Sequence, residues 1–407
     1  MKEVKGGVTA AKGYAAAGIE ANIKYSNRRD MALIYSDSPC EVAGVFTKNI
    51  VKAAPVKWDM EVVKSGELVR AIVVNAGIAN ACTGEAGYAI CKESAKVLAG
   101  ELGINENQVL CASTGVIGMQ IPVDKITCGI KKLVESMNMT LESGSEAARS
   151  IMTTDTVSKE IAVEIEIDDR TVTIGGMCKG TGMIHPNMCT MLGFITSDVS
   201  ISKELLQNIL SDEVVDTFNM ISVDGDTSTN DTVLVLANGE AGNMKIVEKD
   251  DNYYKFKAAL HYICEEMAKK LAGDGEGATA LFEVKVVNAK TKEDARILSK
   301  SVITSSLTKA AIFGHDANWG RILCALGYSG AIFDPENIEL SFVGGGESLV
   351  IYNNGVATDY SEEVATKILS NPVVTAIVDI RMGDESATAW GCDLTYDYVK
   401  INADYRS

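Results

Sequence analysis

Between Gly176 and Leu192 the path of this chain is unusually restricted. Gly176, Gly180 and Gly182 permit positive φ or a close pass to another segment. Pro186 fixes its own φ and pushes His185 towards extended backbone. The apolar stretch that follows, through Leu192, carries one hydroxyl, that of Thr190. Two readings fit this pattern. One is a tight turn entering a buried strand, Thr190 to Thr196. The other is a stiff approach that strains a peptide bond and aims Thr190 as a nucleophile. A short motif alone does not separate them.

Length and composition bound the answer. A chain of 407 residues can hold two or three domains and a large core. Hydrophobic residues at 46% and charged residues at 23% match an ordinary globular balance. Lys2, Glu3 and Lys5 lead into Gly6 and Gly7 without an apolar run, so no signal peptide is expected. No uncharged apolar stretch reaches the ~18 residues of a membrane span. The ten cysteines are scattered without a CxxC pair, which suits reduced thiols and cytoplasmic residence better than disulfides or zinc. Residues 190–407 hold 18 Lys+Arg against 33 Asp+Glu, most of the net charge of −17. That field repels polyanions and argues against a nucleic-acid partner.

Only three histidines are present: His185, His261 and His315. A Ser-His-Asp triad needs one beside its nucleophile, and a His-rich metal site needs several. His185 lies near Thr190 but reads as a turn residue beside Pro186, and His261 as a helix residue. A threonine nucleophile without a histidine base has another activator, its own α-amine once it becomes N-terminal. No metal site is expected.

Hydrophobic periodicity places strands around Val73–Val74, Ile161–Ile167, Thr171–Ile174, Thr232–Leu236, Leu281–Val287, Ile338–Val343 and Val373–Ile380. Helices are expected over Glu85–Leu102, Val123–Met137, Ser202–Phe218, Tyr253–Leu271, Lys292–Ser301 and Ser361–Leu369. The 161–167 and 171–174 pair reads as a hairpin. The class is therefore α+β with antiparallel sheet, with boundaries near 201 and 275. Polar loops offer chemistry. Ser113-Thr114-Gly115 could supply oxyanion donors or be a plain turn. Met152–Thr156 ends a helical segment. Asp224–Asp231 resembles a calcium loop but lacks the closing glutamate. Gly273–Ala278 suits a carboxylate at a loop tip, and Gly344-Gly345-Gly346 lacks the dinucleotide-binding spacing.

Nine segments in matching order carry a resemblance at family level. They are Gly6–Ala10, Gly44–Asn49, Ala79–Gly84, Ser113–Gly118, Met152–Thr156, Lys179–Leu192, Asp274–Thr279, Asn318–Ile322 and Asn402–Ser407. Together they resemble the ornithine acetyltransferase family, bifunctional glutamate N-acetyltransferase/amino-acid acetyltransferase of arginine biosynthesis. The resemblance implies a layered α/β/β/α sandwich like that of N-terminal-nucleophile enzymes, with a smaller C-terminal α/β domain. It implies a precursor that cleaves itself between Cys189 and Thr190. An α chain of residues 1–189 and a β chain of residues 190–407 result, two of each in the assembly.

In such enzymes Thr190 would take acetyl from N2-acetylornithine and pass it to glutamate, with Thr114 and Gly115 as oxyanion hole. Substrate contacts would be Thr153, Lys179, Thr190, Glu276, Asn402 and Ser407, with Thr154 the alternative to Thr153. No cofactor is implied, and acetyl-CoA is a candidate second acetyl donor. Where the family usually has alanine before the nucleophile, this chain has Cys189. The cysteine is small enough that cleavage at Thr190 is expected. The rival readings are an N-terminal-threonine amidohydrolase or aminopeptidase, a Lys179 Schiff-base enzyme, and a binding protein without catalysis.

Overall fold

The computed structural model describes residues 1–185 and 191–404. The chain forms two compact units. One comprises Met1–Gly180, Asn187–Val215 and Thr227–Met267; the other comprises Thr181–Pro186, Asp216–Asp226 and Ala268–Ser407. Passage between units thus falls elsewhere than near 201 and 275. Leu192–Ser197 and Thr232–Ala237 are adjacent parallel strands of one sheet, so a boundary near 201 would divide that sheet. The last passage lies inside the helix Asp251–Gly273.

The larger unit is built on a nine-stranded sheet. Lys159–Ile167 and Arg170–Lys179 form the expected hairpin, Ile167 opposite Arg170. Its two-residue turn places Asp168 and Asp169 at φ 50° and 57°, as a type I′ loop requires. Arg170–Lys179 then pairs with Leu192–Ser197, Lys179 opposite Leu192. The long strand Met31–Phe46 joins two halves of the sheet. Its second half pairs with Thr232–Ala237, and its first half with Tyr14–Ile19 and Val69–Ile78. Val69–Ile78 pairs in parallel with Val109–Val116.

Alternation along Arg170–Lys179 sorts the layers. Met177 joins Phe194, Leu234, Ile34 and Val74 in one apolar core, while Gly176 and Cys178 face Met267 of the helix Asp251–Gly273. Trp58, Leu98 and Leu133 bring the helices Ala54–Ser65, Gly84–Leu102 and Val123–Ser136 onto the other half. The order helix, sheet, sheet, helix is an α+β sandwich. Each fully buried Leu, Ile or Phe in it contributes about 1.5–3 kcal/mol.

The smaller unit carries a seven-stranded sheet with Leu281–Ala289, Glu339–Gly344, Val373–Asp379 and Glu385–Cys392 at its centre. The helix Lys292–Thr304 packs Leu298, Val302 and Ile303 inward, and Thr291 caps it by accepting from Asp294 N. Gly344 to Gly346 is the turn of an antiparallel hairpin, Glu339–Gly344 with Glu347–Asn353. Among the described residues no helix is long and apolar enough to cross a membrane.

Candidate active site

In the larger unit the site grows from the end of the strand Arg170–Lys179. Lys179 is 7% exposed, and its Nζ donates to Thr153 Oγ1 at 2.7 Å and to Thr114 Oγ1 at 3.3 Å. Asp155 lies behind it, Oδ2 at 3.9 Å from Lys179 Nζ. Asp155 also accepts from Lys159 Nζ at 2.8 Å, Gly180 N at 2.8 Å and Thr153 N at 3.0 Å. Burial alone would raise the Asp155 pKa. Lys179 and Lys159 outweigh it and hold the carboxyl at about 2. A buried ion pair of this kind is tolerated because its lone pairs are used by several donors.

Thr114 and Gly115 sit near the end of Val109–Val116, where the ladder to Val69–Ile78 becomes irregular. Gly115 has φ +128°, and a Cβ there would lie 2.2 Å from the Gly77 carbonyl carbon. Only glycine fits. Asn230 braces this turn: its Nδ2 donates to Ala79 O at 2.6 Å and Ser113 O at 2.8 Å. Ser113 Oγ donates to Asn75 Oδ1 at 2.6 Å.

Next in sequence, Asp231 is buried close to Ser228, Thr47 and the Met191 backbone. Burial pushes its pKa well above the usual carboxylate range, against those polar neighbours and nearby Lys179. Its Oδ2 has no partner among the described residues.

In the smaller unit Glu276 is the centre. It is 7% exposed, and its Oε2 accepts from Asn402 Nδ2 at 2.8 Å. Its N–H donates to Thr181 O at 2.9 Å. Gly182 passes so close that a Cβ there would lie 2.4 Å from Glu276 Oε2. Asp393 holds the following loop by accepting from Thr279 N at 2.8 Å. Nearby, Asp224 accepts from Met183 N at 2.6 Å and Ile184 N at 2.8 Å. The Asp224–Asp231 loop therefore spends its first carboxylate on backbone N–H groups. Burial raises Asp224 and outweighs those donors. His185 Nδ1 is 3.1 Å from Ser222 Oγ, and burial together with Lys300 lowers its pKa to about 4. It is a neutral imidazole at pH 7.

Of the residues expected at the site, the fold brings Lys179, Thr153 and Thr114 together, with Gly115 beside them. Thr153 rather than Thr154 supplies the hydroxyl bonded to Lys179. Glu276 and Asn402 meet in the smaller unit. Cys189, Thr190 and Ser407 lie outside the described residues. Sequence reasoning gave no structural role to Asp155, Asp224, Asn230 or Asp231. Asp155 stood inside the Met152–Thr156 motif, and Asn230 and Asp231 inside the Asp224–Asp231 loop, which was weighed only for calcium.

A family model described as ArgJ family matches residues 15–407. The chain belongs to the ArgJ family. Curated ArgJ relatives are similar over essentially the whole length. The arginine biosynthesis bifunctional protein ArgJ 1 of Clostridium acetobutylicum is 50% identical over 394 residues, covering 97% of this chain and 96% of the relative. The arginine biosynthesis bifunctional protein ArgJ of Thermotoga neapolitana is 47% identical over 397 residues, covering 97% of this chain and 99% of the relative. A crystal structure of the arginine biosynthesis bifunctional protein argJ from Bacillus halodurans is 46% identical with TM-score 0.51. It covers 53% of this chain and 99% of that one. The resemblance carried by the nine motifs thus holds at family level.

Proposed function

We propose that this chain is an acetyltransferase of arginine biosynthesis that moves acetyl from N2-acetylornithine to L-glutamate through an ester on Thr190. In the first half-reaction Thr190 Oγ attacks the acetyl carbonyl, and the hydroxyl proton passes through the Thr190 α-amine to the leaving amine. The amide C–N bond breaks and ornithine departs. In the second, the glutamate amine attacks the ester carbonyl, the C–O bond breaks, and Thr190 regains its proton. Two acyl transfers replace one direct amide exchange. Thr114 Oγ–H and Gly115 N–H donate to the oxyanion of each tetrahedral intermediate, where loss of one donor costs about 3–4 kcal/mol.

One observation carries this reading. Thr114 and Thr153, 65 and 26 residues from Lys179 in sequence, both present their hydroxyls to its amine. A fixed cation beside hydroxyl donors suits a small amino-acid substrate with an α-carboxylate. Lys179, Thr153, Thr190, Glu276, Asn402 and Ser407 are the substrate contacts in this reading, Glu276 holding a cationic amine.

The active form is cleaved between Cys189 and Thr190, assembles as two α and two β chains in the cytoplasm, and needs no cofactor. Acetyl-CoA serves as a second acetyl donor to glutamate.

The test supplies purified protein with N2-acetylornithine and glutamate and measures ornithine, N-acetylglutamate and acetate. Equimolar ornithine and N-acetylglutamate are expected. Acetate without N-acetylglutamate would make the protein an amidohydrolase and overturn the transfer. Acetyl-CoA with glutamate alone tests the second donor.

A further inference from the structure

An ammonium group has three donors and no acceptor, so Lys179 is the donor in both of its hydroxyl contacts. Thr114 Oγ1 and Thr153 Oγ1 therefore accept from it. A hydroxyl has one hydrogen, and a hydroxyl that accepts from an ammonium turns that hydrogen away. The Thr114 hydrogen is thereby left to donate to whatever occupies the site. A neighbouring cation also polarises the hydroxyl and makes it a stronger donor.

The amine itself is held in place. Lys179 closes a strand whose register against Leu192 fixes its backbone, and the side chain is buried. Asp155 lies 3.9 Å from Nζ and is tied down by two backbone N–H groups and Lys159. A lysine needed only to meet a substrate carboxylate would not require both hydroxyls to be engaged beforehand.

We infer that Lys179, held by Asp155, is a positioning residue for the oxyanion: it sets the Thr114 hydroxyl so that its hydrogen points at the developing charge. This rests on the reading of Thr114, Gly115 and Thr190 given above and adds a role for Lys179 beyond substrate contact.

A double-mutant cycle on kcat tests it, with Lys179→Met and Thr114→Val, and Thr114→Ser as the variant that keeps the hydroxyl. Turnover is counted per cleaved β chain. Lys179→Met should lower kcat about 10–100-fold in the wild-type and Thr114→Ser backgrounds, a large part of the ~10²–10³ assigned to one oxyanion donor. In Thr114→Val the same change should cost less than about threefold, because the hydroxyl it acts on is gone. KM changes from lost substrate contact are expected in every background and do not enter the cycle. Lys179→Met leaves Asp155 paired with Lys159, so the fold should hold; Lys179→Gln replaces it if thermal melting shows otherwise. Equal kcat losses in all three backgrounds, a loss confined to KM, or a Lys179→Met chain that stays uncleaved would each overturn the inference. Wild-type protein that forms no N-acetylglutamate would instead overturn the function, so the two failures are distinct.

Discussion

Asp155, buried in the larger unit, and Asp224, half-buried in the smaller, each accept two backbone N–H bonds at 3.0 Å or less, yet their pKa values move in opposite directions. Burial raises both. Asp155 has Lys159 and Lys179 against it and falls to about 2; Asp224 has only backbone N–H groups against burial and neighbouring Asp226, and rises. The cations decide the sign. The cluster around Lys179 is therefore locked by charge at the end of an antiparallel ladder. Glu276 and Asn402, in the smaller unit, are held by a hydrogen bond between a loop and a short C-terminal helix.

The largest expected effect comes from breaking the charged lock. Asp155→Asn leaves Lys159 and Lys179 buried without their carboxylate, and urea unfolding should show a loss of about 3–5 kcal/mol. A loss below about 1 kcal/mol would erase the contrast between the two units. Gly115→Ala meets the Gly77 backbone and an unfavourable φ. It should lower turnover about 100-fold and stability by about 1–3 kcal/mol. Glu276→Gln keeps the acceptor for Asn402 but removes the charge. KM for acetylornithine should rise about tenfold, with the melting temperature unchanged. A fall in stability of the size seen for Asp155→Asn would place Glu276 in the fold instead.

Smaller effects separate the two units by pH. The Asp155 contribution is present above the unfolded carboxyl value of about 4 and is lost as pH falls through about 2. His185 is depressed to about 4, so between about pH 6.5 and 4 the unfolded chain binds a proton that the folded chain refuses. Stability should fall across that window as pH drops, and His185→Gln should flatten it in thermal melts taken from pH 7 to 4. An unchanged slope would mean that His185 is not buried neutral.

Periodicity made the 161–167 and 171–174 hairpin legible, because both strands alternate and two turn-forming aspartates divide them. It hid the strand Met31–Phe46. Its middle, Ser36-Asp37-Ser38-Pro39, reads as a turn, whereas the chain continues through a register shift between Tyr35 and Cys40. Pro55 in the first turn of Ala54–Ser65 was a helix-start signal left unused. The motifs held the residues that the fold groups, Lys179 with Thr114 and Thr153, and Glu276 with Asn402. The residues that hold them were not legible. The ionised state of Asp155 depends on two lysines that only the fold gathers. Asn230 does its work on carbonyls of Ala79 and Ser113, more than 100 residues away in sequence.

The central claim is that Thr190 carries the acetyl group, and denaturing mass analysis tests it most directly. Protein mixed with N2-acetylornithine and no glutamate should separate into chains of residues 1–189 and 190–407, the second heavier by one acetyl group at its first residue. Added glutamate should remove that group as N-acetylglutamate. A fully active protein that runs as one intact chain of about 43 kDa, or an acetyl group on any residue but Thr190, would contradict the account.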